Sequence, residues 1–124
     1  MQVHPFVIAM VVAATAASAA EAAGNAANGG ALFNRCAICH DNHKNGVNKI
    51  GPDLYGVVGR KAGTFPGYTY SPAMKNAGFV WTDDKLDAYI ASPQQVVPNN
   101  KMAFAGISNA SQRADLIAYL DTLK

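Results

Sequence analysis

The chain is 124 residues long, half of them hydrophobic, with 10 basic and 8 acidic side chains and a formal net charge of +2. So small a charge argues against nucleic acid as a partner, which calls for a strongly basic face. The only cysteines are Cys36 and Cys39, so no second pair remains for another bridge or attachment.

The N-terminus reads as a targeting segment. Phe6 to Ala20 is uncharged and mostly apolar, and it runs into Ala17-Ser18-Ala19 and Ala20-Glu21-Ala22, two small-x-small cleavage patterns. At about 15 residues it is short for a membrane span, which needs about 20. The expectation is a secretory signal peptide over residues 1–22, cut between about 19 and 23, and a single domain over 23–124. No Lys or Arg precedes the apolar run, so an uncleaved N-terminal anchor is the alternative. Cleavage leaves about 100 residues, a common domain size that is marginal if its core is built from side chains alone.

Ala20 to Asn28 is rich in Ala and Asn and is expected to fray. A first helix is predicted from about Asn28 to Ala37. Gly29 and Gly30 are poor helix formers, which points either to close packing against another backbone or to a flexible start. Asp41 to Leu54 reads as a loop broken by Gly46, Gly51 and Pro52, and Gly56 to Tyr70 as a second long loop. Ser71-Pro72 opens a short helix, with serine as cap and proline at the first position, and Gly78 closes it. Thr82 caps the next helix, with Asp83 and Asp84 in its positive first turn. That helix places Leu86, Tyr89 and Ile90 on one face and stops at Ser92-Pro93.

Gln94 to Val97 reads as a further short turn, and Asn99 to Ile107 as loop. Asn109 with Gln112 resembles a capping box for the last helix, which carries Leu116, Ile117, Leu120 and Leu123 at helical spacing. No strand, internal repeat or run of like charges stands out. Long structureless loops normally count against an assignment in so small a domain. They make sense if they wrap a large cofactor.

Cys36-Ala37-Ile38-Cys39-His40 supplies that cofactor. C-x-x-C-H is the attachment sequence for a c-type haem. Two thiols add to the two porphyrin vinyls, and the adjacent imidazole serves as proximal axial ligand. Export fits, because haem attachment to paired cysteines is expected outside the cytosol, where free thiols would otherwise tend to oxidise. Other readings stay open on the motif alone. A redox dithiol wants a strand before it and a βαβ setting, neither of which is evident. Zinc bound by Cys36, Cys39, His40 and His43 would draw all its ligands from eight successive residues, whereas zinc fingers use two separated pairs. A Cys36–Cys39 disulfide would close a loop too short to stabilise much.

Several further segments carry a resemblance. After the motif come Gly51-Pro52-Asp53-Leu54, Gly59-Arg60-Lys61 and Pro66-Gly67-Tyr68-Thr69-Tyr70. Gly78, Trp81, Pro93 and Pro98 follow, then Lys101-Met102-Ala103-Phe104-Ala105-Gly106-Ile107, then Arg113-Ala114-Asp115-Leu116-Ile117-Ala118-Tyr119-Leu120. In this order and spacing, from about Gly29 to Leu123, the chain resembles class I cytochrome c of the mitochondrial and bacterial cytochrome c2 kind.

The resemblance implies an all-α fold of about four to five helices, with long loops around one covalent haem c. Met102 corresponds to the second axial ligand, so the metal ligands would be His40 and Met102. A thioether there favours Fe(II) and raises the reduction potential. Met74, the only rival sulfur outside the leader, matches no ligand position. Pro52 matches the carbonyl that accepts the other imidazole hydrogen and fixes the tautomer. Arg60, Tyr70 and Trp81 match positions that hydrogen-bond or neutralise the haem propionates, which need partners when buried. Tyr89 matches the tyrosine beside the methionine sulfur. Gly29 and Phe33 match a crossing with Leu116, Tyr119 and Leu120.

There are departures. Met74 stands where the family often has an asparagine near a propionate, and Asn100, where threonine is common, offers a substitute. Gln94, Gln95, Ser108 and Asn109 stand where lysines are frequent, leaving Arg35, Lys49 and Lys101 near the expected haem edge. His43 is extra and expected to face solvent.

The function implied is that of a soluble periplasmic one-electron carrier and not an enzyme. It would be a monomer that docks transiently with donor and acceptor redox proteins, without nucleic acid or stable membrane insertion. The alternatives are a haem protein with an open distal site, such as a small peroxidase or gas sensor, and a cytochrome subunit of a dehydrogenase or oxidase complex.

Overall fold

A computed structural model describes residues 2, 10–12 and 24–124. The leader's cleavage region lies outside the described residues. Helix α1 runs over Ala26–Leu32 and continues as a 3-10 turn over Phe33–Arg35. It starts two residues before the expected position. Asn25, placed by composition in a fraying segment, caps it by accepting from the Asn28 N–H at 2.9 Å. Asn25 also donates its own N–H to Asp115 at 2.7 Å. A good cap and a partner helix outweigh the local cost of two glycines.

Four more helices follow: α2 over Pro72–Lys75, α3 over Asp83–Ala91, α4 over Pro93–Val96 and α5 over Ala110–Asp121. The expected caps are in place. Ser71 accepts from Met74, Thr82 from Lys85 and Asn109 from Gln112, at 3.1, 3.1 and 3.0 Å. Helix α4 begins at Pro93 rather than Gln94, with proline at its first position, where a missing N–H costs nothing.

Helices α1 and α5 cross at close range. A Cβ on Gly29 would lie 1.9 Å from the Asp115 carbonyl oxygen, so glycine is obligatory there. Gly30 is different: a Cβ would meet only the Tyr119 ring, at 3.4 Å. The expectation of backbone-to-backbone packing therefore holds at Gly29 and not at Gly30. Phe33 stacks on Tyr119 with ring centroids 5.4 Å apart. Leu86, Tyr89 and Ile90 of α3 and Leu116, Ile117 and Leu120 of α5 are buried with Phe33 and Trp81. The described residues contain no strand. One isolated antiparallel bridge joins Lys61 to Val80, and around it Gly59 and Ala62 donate to Trp81 and Phe79, each at 2.8 Å. This pairing ties the second long loop to the segment ahead of α3 and brings Arg60 and Trp81 to one side of the core.

Candidate haem site

An apolar cavity opens between the loops, and every residue singled out in the sequence as cofactor-binding lines it. One wall is the segment that follows α1. Its turn is closed by backbone bonds from Cys39 and His40 to Cys36, at 3.0 and 2.9 Å. This puts both thiols and the imidazole at the cavity.

His40 Nδ1 lies 2.7 Å from the Pro52 carbonyl oxygen. A carbonyl only accepts, so Nδ1 carries the hydrogen and the lone pair is on Nε2. Burial also pulls the His40 pKa below its ordinary value, against the Pro52 bond that raises it. The neutral ring is the form that ligates metal. Gly51 completes the cradle: a Cβ there would lie 2.3 Å from His40 Cε1. Burial raises the Cys36 thiol, with Arg35 opposing.

The opposite wall is the loop from α4 to Phe104. Asn100, 8% exposed, organises it. Its amide donates to the Pro93 and Val97 carbonyls at 3.1 and 2.8 Å and accepts from the Met102 N–H at 2.9 Å. Both amide hydrogens are engaged by the loop itself, so the side chain positions Met102. Tyr89 reaches across from α3, its hydroxyl donating to the Met102 sulfur at 3.8 Å. Met74 is buried on the same cavity, from α2.

Three polar groups stand where propionates were expected. Arg60 donates to the Tyr55 and Asp53 carbonyls, each at 3.2 Å, and packs over the Phe65 ring. Tyr70 accepts from the Phe65 N–H at 3.1 Å, which leaves its own hydroxyl hydrogen free to donate. Trp81 is buried between Phe79 and Tyr89, and its indole N–H has no partner among the described residues. Two spare donors facing an apolar cavity, with a cradled imidazole and paired thiols on its wall, fit a large planar group carrying carboxylates.

The rim holds what sequence reasoning underweighted. Ile38 and Ile50 are 77% and 74% exposed. The Gly51 N–H donates to Cys39 and the Tyr68 hydroxyl donates to Ile50, at 2.8 and 2.7 Å, which pins Ile50 beside the attachment turn. The cations lie flat. Lys49 donates to the Ala37 carbonyl at 3.4 Å, and Lys101 donates to Thr69 while resting over the Tyr68 ring. His43 is 79% exposed and pairs with Asp41 at 2.5 Å, on the outside. Gln94, noted as a missing lysine, bonds Asn100 and Asn99 instead.

Helices closed around an apolar cavity that a C-x-x-C-H turn enters define a class of protein, the c-type haem proteins. The family model for cytochrome c matches residues 26–124. The chain is similar to cytochrome c of Euglena viridis, 52% identical over 101 residues, which span 81% of this chain and 98% of the relative. It is 54% identical over 89 residues to cytochrome c2 of Rhodopila globiformis, spanning 72% of this chain and 83% of that one. Among solved structures, cytochrome cH from Methylobacterium extorquens matches with a TM-score of 0.75 and 44% identity, over 80% of this chain and 99% of that one. The chain belongs to the cytochrome c family, whose members carry electrons and are not enzymes.

Proposed function

We propose that the chain is an exported one-electron carrier, with haem c bound through Cys36 and Cys39 and ligated by His40 and Met102. The observation that carries this reading is the pair of fixed donors on one cavity: His40 oriented by the Pro52 carbonyl and Met102 held by Asn100 and Tyr89. When bound, the haem supplies a one-electron Fe(III)/Fe(II) couple.

The protein's share is positional. The Pro52 bond fixes the imidazole tautomer and raises its basicity. Asn100 holds the Met102 backbone, and the Tyr89 hydroxyl orients its sulfur. Tyr70 and Trp81 supply donors for propionates, and the Arg60 charge is held nearby by two loop carbonyls. His40 and Met102 together would leave bound haem no vacant position for small oxidants, which separates this reading from that of a peroxidase or gas sensor.

The test is a visible spectrum with a redox titration. Met102→Ala is expected to remove the weak far-red sulfur-to-iron band, lower the potential and open the iron to carbon monoxide. If Met74→Ala does these things instead, the ligand assignment is wrong.

Residues 1–22 act as a signal peptide and 23–124 work in the periplasm as a monomer. Among the described residues no helix is long and apolar enough to cross a membrane. Intact mass of native protein is expected to show loss of the leader and gain of one haem. A chain still beginning at Met1 in the membrane fraction would instead establish the anchor.

Donor and acceptor redox proteins dock transiently at the cavity rim. Ile38, Ile50 and Ala103 provide apolar contact, and the few cations, Arg35, Lys49 and Lys101, provide weak steering. Steering is screened by salt in proportion to the charge involved. The bimolecular rate with the native acceptor is therefore expected to fall only modestly with ionic strength. A steep fall would show that the cations dominate.

A further inference from the structure

Among the described residues Asp53 is the one buried carboxylate that the functional reading leaves unused. It is 1% exposed and is one of the two largest side chains that are fully enclosed. It directly follows Pro52, whose carbonyl holds His40 at 2.7 Å. Its Oδ1 accepts from the Tyr55 N–H at 2.9 Å, and its own N–H donates to Asn48 at 3.2 Å. A Cβ on Gly46 would lie 2.6 Å from Asp41 Oδ2 and 2.7 Å from Asp53 Oδ2, so both carboxylates border the space that this glycine leaves open.

Among the described residues no cation forms a contact ion pair with its carboxylate. The two contact ion pairs among the described residues are His43–Asp41 and Arg113–Asp87. Arg60 binds the Asp53 backbone carbonyl and not its carboxylate. A carboxylate enclosed without a contact partner is costly, because water no longer solvates it. A turn that needed only an acceptor for the Tyr55 N–H would be served as well by asparagine, without that cost. The charge is the feature that asparagine would lack.

We propose that Asp53 is a charge-setting residue, a fixed negative charge behind the proximal histidine that stabilises the oxidised centre and lowers its reduction potential. The inference rests on the haem reading given above. The physics is that of any ion near a low-dielectric site: Fe(III) carries one more positive charge than Fe(II), so a nearby anion favours it, and burial makes that preference larger and less sensitive to salt. Burial and charge are two of the levers by which a protein tunes a haem. The same negative field is felt by neighbouring groups. It opposes the downward pull of burial on both His40 and Arg60, as a smaller contribution than burial itself.

The experiment is the midpoint potential of holoprotein carrying Asp53→Asn, which keeps the acceptor oxygen and removes the charge. The reduction equilibrium is expected to move toward Fe(II) by about tenfold, which for one electron is a rise of about 59 mV. Asp84→Asn, on the exposed first turn of α3, is the control and is expected to give a much smaller rise that vanishes at about 1 M salt, where the Debye length is about 3 Å. The Asp53→Asn shift should persist there. Asp53→Ser, smaller and also neutral with an acceptor oxygen, is the second variant should asparagine impair folding, and it should show the same rise.

The visible spectrum is read first. Absence of covalent haem in the wild type defeats the functional reading itself. A normal spectrum with an unmoved or lowered midpoint in either variant overturns this inference alone. So does a rise that matches the Asp84 control or disappears in salt, since each would make Asp53 a structural residue or part of the general net charge.

Discussion

The crossing of α1 on α5 and the loop from Pro93 to Phe104 both shape the cavity, and they are held in different ways. The crossing works by the removal of side chains: Gly29 lets backbone reach backbone, with the Asp115 carbonyl where a Cβ would stand. The loop works by side-chain bonds, chiefly those of Asn100, which meets two carbonyls and one N–H, with Gln94 beside it. A contact made of absent atoms fails when anything is added. A contact made of side-chain bonds fails when a side chain is trimmed. The two regions therefore have opposite vulnerabilities, and substitutions can be chosen to expose each.

The largest effect is expected at the crossing. Alanine is normally better than glycine inside a helix. At Gly29, however, the new carbon would fall on the backbone of α5, and neither helix can yield without opening the core. Gly29→Ala is expected to cost about 3 kcal/mol or more, the upper part of the overpacking range, measured by chemical denaturation of holoprotein. A neutral result would mean that the helices slide apart freely. The next largest is expected in the loop. Asn100→Ala leaves the Met102 N–H without a partner and the Pro93 and Val97 carbonyls with only their backbone donors, at a cost of about 1–3 kcal/mol. It should also weaken the far-red band by freeing the loop. Loss of stability with an unaltered band would separate the loop's packing role from its positioning of Met102.

This contrast also explains what was legible in the chain. Local chemistry was readable: the attachment turn, the caps at Ser71, Thr82 and Asn109, and the buried face of α3 all depend on neighbours within four residues. The fold class and the cavity-lining set came through the ordered segments of the resemblance. Features that depend on distant partners did not come through. Asn25 looked like part of a fraying tail because its partner, Asp115, is 90 positions away. Gly29 and Gly30 looked alike because only the partner helix distinguishes them. Asp53 was simply one letter of Gly51-Pro52-Asp53-Leu54, since nothing local reveals that loops will close over it. Arg60 was matched to a propionate and Asn100 offered as a substitute in the network near one, yet their side chains bond loop backbone groups.

Between the two regions lies Tyr89, which links α3 to the Met102 sulfur. Burial, with Tyr68 adding to it, pushes its hydroxyl up to about 12 from an ordinary 10.0. The neutral phenol is thus favoured by the fold. Its contribution is fully present below about pH 10, where both folded and unfolded chains are protonated. It declines as pH rises toward 12, because the unfolded chain releases its proton first. Tyr70, raised by burial as well, contributes with the same sign. The stability difference between wild type and Tyr89→Phe is expected to be flat up to about pH 10, then to shift against the wild type by about 1 kcal/mol by about pH 11. A difference that changes instead between pH 6 and 9 would mean that another group titrates against this hydroxyl.

The smallest effect is also the sharpest test of the comparison, because it reverses sign one residue from the largest. Gly30 sits in the same helix as Gly29 and has ordinary helical backbone. A Cβ there would lie 3.4 and 3.5 Å from the Cδ2 and Cε2 atoms of Tyr119. Those are contact distances to the edge of a ring, not collisions with a main chain. The ring is held by contact with Phe33 and by Asn42, whose amide donates to the Tyr119 hydroxyl at 2.6 Å. A methyl group would therefore add packing against a fixed surface while removing the glycine's excess freedom in the unfolded chain. Replacing glycine inside a helix contributes about 0.5–1 kcal/mol, and little should offset it. Gly30→Ala is expected to raise stability by up to about 1 kcal/mol, with an unchanged spectrum, as read by chemical denaturation beside Gly29→Ala. If Gly30→Ala were instead destabilising by a similar amount, the close approach would extend along the whole helix, and the distinction drawn here between its two glycines would be lost.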